Sequence, residues 1–229
     1  MSVTIPPGAG MSQAIDLLVQ EAIVLGFGAL ESDRRAVDEL VDRSDSLRHN
    51  TADAWRVGLR DALLDMLSTS SPNRVDVLLG YPSGPPGSAH LPCVSIVKDG
   101  GGENPSEVCI GDVLDQRDEF VGPNLERVET VTHGAGWTST LQVGAWTTTP
   151  ELSALLHAAI GWALQHQKQR LMDMGVHEST WNEGGAPGTD LEPRVGFVPM
   201  WVVTLNWTRQ QTFRRKVANR VTFTTTPSV

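Results

Sequence analysis

Six histidines, two cysteines and 27 carboxylates give this chain the raw material for metal binding or acid–base chemistry. Their spacing decides what they can do. His157 and His166 fall nine residues apart in a helix-like stretch, which turns them away from the i, i+4 arrangement of a helix-borne metal pair. His133, in Thr132-His-Gly-Ala-Gly-Trp137, reads as a turn histidine bonding to backbone at a loop-to-strand junction. Ser95 sits in Cys93-Val-Ser-Ile-Val97 and lacks the Gly-x-Ser-x-Gly elbow that exposes a nucleophile. Cys93 has no flanking group to lower its pKa, and its apolar run predicts a free buried thiol rather than a disulfide with Cys109. Gly100–Gly102 leads into acids and a proline, and Gly134-Ala-Gly136 into a strand; neither is a phosphate or dinucleotide loop. Asp112, Asp115, Asp118 and Glu119 lack calcium-loop spacing and read as a solvated acidic segment. No general acid is matched to a base, so the chain is expected to be non-enzymatic, with no metal and no cofactor.

The elements that would have to position such groups are better defined. Residues 1–10 read as an arm. Ile15, Leu17, Leu18, Ala22, Ile23 and Leu25 give Met11–Gly26 the stripe of a buried-face helix. Glu31–Leu47 is a charge-laced, exposed helix. Thr51 or Asp53 caps a third, to Leu67, with Trp55, Val57, Leu59, Leu63, Leu64 and Leu67 toward a core. The period then changes: Val75–Gly80 and Cys93–Val97 are short β-branched runs around a Pro/Gly-rich loop. Asp99–Thr132 is a long acidic connection, expected to be an extended hairpin or a flap that orders against a neighbour. Trp137–Thr148 alternates as a strand, and Thr149-Pro150-Glu151 starts a helix. That helix is predicted to run to Met174, where Gly175 stops it. Met200–Thr208 is a closing strand with Trp201, Val203, Leu205 and Trp207 on one face; the two tryptophans read as core. The layout is α+β: a mainly antiparallel sheet with one long helix and further N-terminal helices packed on one face.

Charge is distributed unevenly along this layout. After Glu192 there is no acid, while Arg194, Arg209, Arg214, Arg215, Lys216 and Arg220 follow, in a chain of net charge −9. The overall sign disfavours a general nucleic-acid binder, and no sequence-specific nucleic-acid contact is expected. No run has membrane-spanning length and the N-terminus lacks signal-peptide architecture, so a soluble protein made in a cytoplasm is expected. The tail around Phe213 reads either as a solvated edge guarded by its charges or as an arm that joins a neighbour's sheet and meets acids there. Phe213, Arg209, Arg214, Arg215, Lys216 and Arg220 on one side are the candidate interface residues. Asp112, Asp115, Asp118 and Glu119, in the acidic connection, are candidate interface residues as well.

The order of elements from Trp55 onward resembles the tail terminator and neck (tail-completion) proteins of tailed bacteriophages. The pieces that carry it are Ala52–Leu67, Val75–Gly80, Cys93–Val97, Leu141–Thr148, Thr149–Met174 and Val198–Thr208, with the phrases Gln142-Val-Gly-Ala-Trp-Thr-Thr-Thr-Pro150 and Phe197-Val-Pro-Met-Trp-Val-Val-Thr-Leu-Asn-Trp-Thr208. The likeness covers about three quarters of the chain and is one of layout. It divides the molecule into an N-terminal helical extension (1–50), a terminator-like domain (51–208, with the acidic loop 98–133) and a basic extended arm (209–229). What it implies is a virion protein of the tail or neck, assembled in the host cytoplasm. Such a protein forms a homo-oligomeric ring, commonly of six, that caps the tail tube, ends its polymerisation and offers the head-docking surface. The implied partners are itself, the tube protein, neck or head–tail connector proteins and, in a contractile tail, the sheath. A connector, stopper or adaptor ring is the alternative within that class; a small hydrolase or a cellular adaptor is the alternative outside it.

Overall fold

The structure, a computed structural model, describes residues 15–43, 53–82, 90–103, 112–121, 126–187 and 197–217. The arm expected at residues 1–10 lies outside them. Three helices come first. α1 (Ile15–Ser32) buries Ile15, Leu18, Val19, Ala22, Ile23, Phe27 and Leu30, at the three- and four-residue steps of one helical face. It runs further than Gly26, the end predicted from the sequence. Asp33 breaks it from α2 (Arg34–Arg43) by accepting from the Arg35 and Ala36 amides with its side chain, both at 3.1 Å, which caps the new helix. In α2 only Val37 and Val41 are buried, and Glu39 pairs with Arg35 and Arg43 one turn away. α3 (Asp53–Leu67) turns Leu59, Leu63, Met66 and Leu67 inward. Trp55 and Val57, expected inward, are exposed because they lie off that stripe.

The strands are β1 (Asp76–Leu79), β2 (Cys93–Glu103), β3 (Asp112–Val121) and β4 (Glu126–Trp146). After them come α4 (Pro150–His166), α5 (Lys168–Asp173), β5 (Val176–Pro187) and β6 (Phe197–Val217). The sheet order is β1-β2-β4-β6-β5, with β3 also on β4. β1 and β2 pair in parallel, β3 and β4 antiparallel, β5 and β6 antiparallel. The fold is therefore α+β with a mostly antiparallel sheet, as the order of elements predicts.

The chain forms two compact units. The first holds the helices, β1, β2 to Gly102, β4 from Thr138, β5 and β6 to Trp207. Alternation sorts its strands cleanly. Leu141, Val143 and Ala145 of β4 and Val203, Leu205 and Trp207 of β6 are fully buried on the helix-covered face. Trp201 on the same face donates from its indole to the His157 carbonyl of α4 at 2.8 Å. α1 crosses α4 at Gly26, where a Cβ would come within 2.4 Å of the Ala163 Cβ; only glycine allows so close an approach. The opposite face carries a smaller core of Cys93, Trp146, Val198 and Met200 against Leu78 and Leu91. Cys93 is buried and makes no disulfide.

The predicted single helix Pro150–Met174 is two, α4 and α5. It starts as expected, with Thr149 capping the Leu152 amide at 3.4 Å and Pro150 in the first turn. At Gln167 the backbone leaves helical values (φ −93°, ψ 7°). Gly175, at φ +96°, then closes α5. Apolar spacing alone does not register such a break, because Leu171 after it is buried like the residues before it.

Candidate assembly surface

In the first unit several side chains that could offer chemistry are engaged in the packing. His157 donates from Nε2 to the Met200 carbonyl at 3.2 Å and stacks on Trp201 with centroids 4.5 Å apart. Burial pushes its pKa below the ordinary 6.5, against the opposing pull of that hydrogen bond and of Glu183. Burial thus favours the neutral form of the ring, which fills the space between α4 and β6. His166 stacks on Trp162. Ser95 is buried and accepts from the Trp146 indole at 2.8 Å. Ser139 does the same for Trp207 at 3.1 Å. These serines satisfy indole donors that burial would otherwise strand.

A cavity of about 310 Å³ opens between α3, the start of β2 and the start of α4, lined by Asp65, Asn73, Leu91, Pro92, Thr147 and Leu152 among others. Its carboxylate is already engaged. Asp65 accepts from Ser71 Oγ at 2.6 Å and from Asn73 Nδ2 at 2.8 Å, and these bonds hold its pKa below the ordinary carboxylate value. Thr147 and Ser153 hydroxyls bond to each other at 2.7 Å. The Asp65 bonds close the turn after α3 on itself, and the Thr147–Ser153 bond ties the start of α4. Among the described residues no three His, Cys, Asp or Glu side chains converge as a metal would require, and no helix is long and apolar enough to cross a membrane.

The second unit is built differently. It consists of the described parts of Glu103–Trp137 together with Thr208–Val217. The stretch expected as a hairpin or flap is a hairpin in its central part. β3 pairs antiparallel with the first half of β4, from Asp112↔Gly134 to Val121↔Glu126, with an irregularity between Val113 and Asp115. His133 lies within this ladder, opposite Val113, and not at the loop-to-strand junction assigned from sequence. The run Glu126-Arg-Val-Glu-Thr-Val-Thr132 has the β-branched content of a strand, which the surrounding glycines and acids obscured.

On one face of the hairpin two acids, Asp118 and Glu129, stand directly opposite each other, an arrangement that repels. Diagonal neighbours relieve it. Arg127 donates to Asp118 at 2.7 Å, and Gln116 donates to Glu129 at 2.6 Å. The hydrogen bond and charge of Asp118, with a smaller pull from Glu129, raise the Arg127 pKa above its ordinary value. Phe120 is 65 % exposed. Arg127, Glu129 and Gln116 were not singled out in the sequence; their signal is the two-residue step between Gln116 and Asp118 and between Arg127 and Glu129.

The basic positions lie in this unit too. β6 continues without a break to Val217, so Arg209, Phe213, Arg214, Arg215 and Lys216 are positions on a strand of the chain's own sheet. The change of role assigned to Thr208 from sequence falls inside that strand, where the first unit gives way to the second. Arg220 lies outside the described residues. β4 and β6 are neighbours. Ser139 meets Trp207, Thr138 meets Asn206 and Gly144 lies against Val198, which fixes their directions as antiparallel. Both strands enter the second unit, with β3 on the other side of β4. The candidate acids Asp112, Asp115, Asp118 and Glu119 and the described candidate bases therefore lie in the second unit on two strands that both pair with β4, β3 and β6.

The chain matches no protein-family model and no curated protein sequence.

Proposed function

We propose that the chain is a non-enzymatic structural subunit of a tailed-phage virion, which forms a ring, of six copies by the family resemblance, in the neck. There it caps the tail tube, ends tube polymerisation and offers a docking surface to the head. The observation that carries this reading is that two 21-residue strands, β4 and β6, each have one part in the first unit and one in the second, where their sequence turns rich in charge. Charged strand segments add little to an apolar core, but they offer backbone and charge for joining other chains. The layout likeness to tail terminators supplies the class of partner.

The test is negative-stain microscopy of the purified chain, alone and mixed with tail tubes. Rings, or density capping tube ends, are expected. A chain that stays monomeric at every salt concentration and leaves tube ends bare overturns the reading.

A further inference from the structure

We propose that copies of this chain join through the two outer strands of the second unit. β3 of one copy pairs edge to edge with the 208–217 run of β6 of the next. This rests on the ring reading above and names the seam that closes the ring.

The topology supplies two strand edges. β4 is central, with β3 on one side and β6 on the other. The partner of β6 in the first unit, β5, ends its register at Val176↔Trp207. Among the described strands, none pairs with residues 208–217 on the side away from β4, and none with β3 on its far side. Unpaired strand edges are templates for another chain.

The two edges match in length and are opposite in charge. β3 spans ten residues, the same length as the 208–217 run. β3 contributes Asp112, Asp115, Asp118 and Glu119 against the single base Arg117. The β6 run contributes Arg209, Arg214, Arg215 and Lys216 and no acid. Charge therefore selects among the possible joins. Two β3 edges meeting about a two-fold axis would set acid against acid, and two β6 edges base against base. Only the heterologous join, β3 to β6, brings opposite signs together, and it leaves a free edge of each kind at the ends until a ring closes. Because β3 and β6 both run antiparallel to β4, they point the same way. Copies arranged around an axis along the strands then meet as a parallel pair, which needs no change in either strand.

Two charge-reversed chains test the seam. In one, Arg214→Glu, Arg215→Glu and Lys216→Glu make both edges acidic; in the other, Asp112→Lys and Asp115→Lys leave neither edge acidic. Asp118 is left alone because it serves the hairpin. At low salt each variant by itself is expected to lose the assembled species seen for the native chain, with association weakened roughly a hundredfold. An equimolar mixture is expected to regain it with the two variants in equal numbers, as mass photometry and native mass spectrometry would read. That regain also shows both variants folded. In the native chain, amide exchange within 112–121 and 208–217 is expected to slow on assembly, a readout that needs no variant. The seam is overturned if either variant assembles like the native chain, in which case the charges only guard the edges. It is also overturned if two folded variants fail to co-assemble, or if exchange in both strands is unchanged by assembly. In all of these the native rings persist and the ring reading stands. A native chain that never associates, with or without tubes, overturns both.

Discussion

Within the first unit, β4 and β6 carry Leu141, Val143, Val203, Leu205 and Trp207 at full burial. A few residues away, the same two strands carry Glu126, Arg127 and Glu129, and Arg209, Arg214, Arg215 and Lys216. The backbone ladder continues while the side-chain chemistry changes from apolar to charged. A strand can therefore serve as a common support: its buried half fixes position and register, and its charged half is free to be tuned for recognition. Stability should concentrate where the apolar contacts are, and partner choice where they are not. The largest effects that would break this division are expected in the first unit.

Trp207 is the strongest case. It is fully buried, and its indole donor is held by Ser139. Trp207→Ala should cost about 3–5 kcal/mol, the range for truncating a core aromatic, read as a fall in the urea midpoint. A loss under about 1 kcal/mol would mean that the helix-covered face is not the seat of stability. Next comes Gly26→Ala, which places a methyl where Ala163 already stands. Neither helix backbone yields cheaply there, so a cost of about 1–3 kcal/mol is expected from overpacking. A neutral outcome would show that α1 shifts freely on α4.

His157 gives a smaller, pH-dependent effect. Its folded pKa is lowered by burial, so between that value and 6.5 the unfolded chain binds more protons than the folded one. Stability contributed by the neutral ring is present above about pH 6.5 and declines as pH falls through that window. The stability gap between the native chain and His157→Gln should therefore narrow from pH 7 toward pH 5. Its slope should stay well under the one-proton limit of about 1.4 kcal/mol per pH unit, because the ring is only partly buried. A gap that widens on acidification would put the sign, and the spacer role, in error.

Much of the first unit was legible in the sequence because burial imposes a period. The alternation of Leu141, Val143 and Ala145 and of Val203, Leu205 and Trp207 states the strands outright. So do Thr149-Pro150 at the start of α4 and Gly175 at the end of α5. The break at Gln167 was not legible, since a one-residue change of backbone angle leaves the apolar pattern intact. The second unit was harder to read for the converse reason. Gln116 to Phe120 of β3 are all exposed, so that stretch carries no inside-outside rhythm, and glycines and acids made a paired hairpin look like connection. The candidate acids and bases were recognisable by sign alone. What the sequence could not give is that β4 lies between them. That arrangement depends on pairings between residues far apart in the chain, such as Ser139 with Trp207.

The sharpest test of the division is also the one with the smallest global effect. Arg127 and Asp118 are both substantially exposed, 44 % and 40 % at the side chain, so water and salt screen their attraction. Arg127→Gln should leave the urea midpoint of the protein unchanged, because no apolar contact of the first unit is touched. Locally it should matter, since Asp118 then faces Glu129 across the ladder with its diagonal relief removed. Amide exchange in β3 and in residues 126–134 of β4 is expected to speed up, with no change in β1, α4 or the first-unit half of β6. Raising the salt to about 1 M, where the screening length falls to roughly 3 Å, should shrink that difference, because both the lost attraction and the exposed repulsion are then damped. Faster exchange that spread into α4, or that ignored salt, would mean that the two halves of β4 respond as one body and that charge in the second unit cannot be tuned apart from the core.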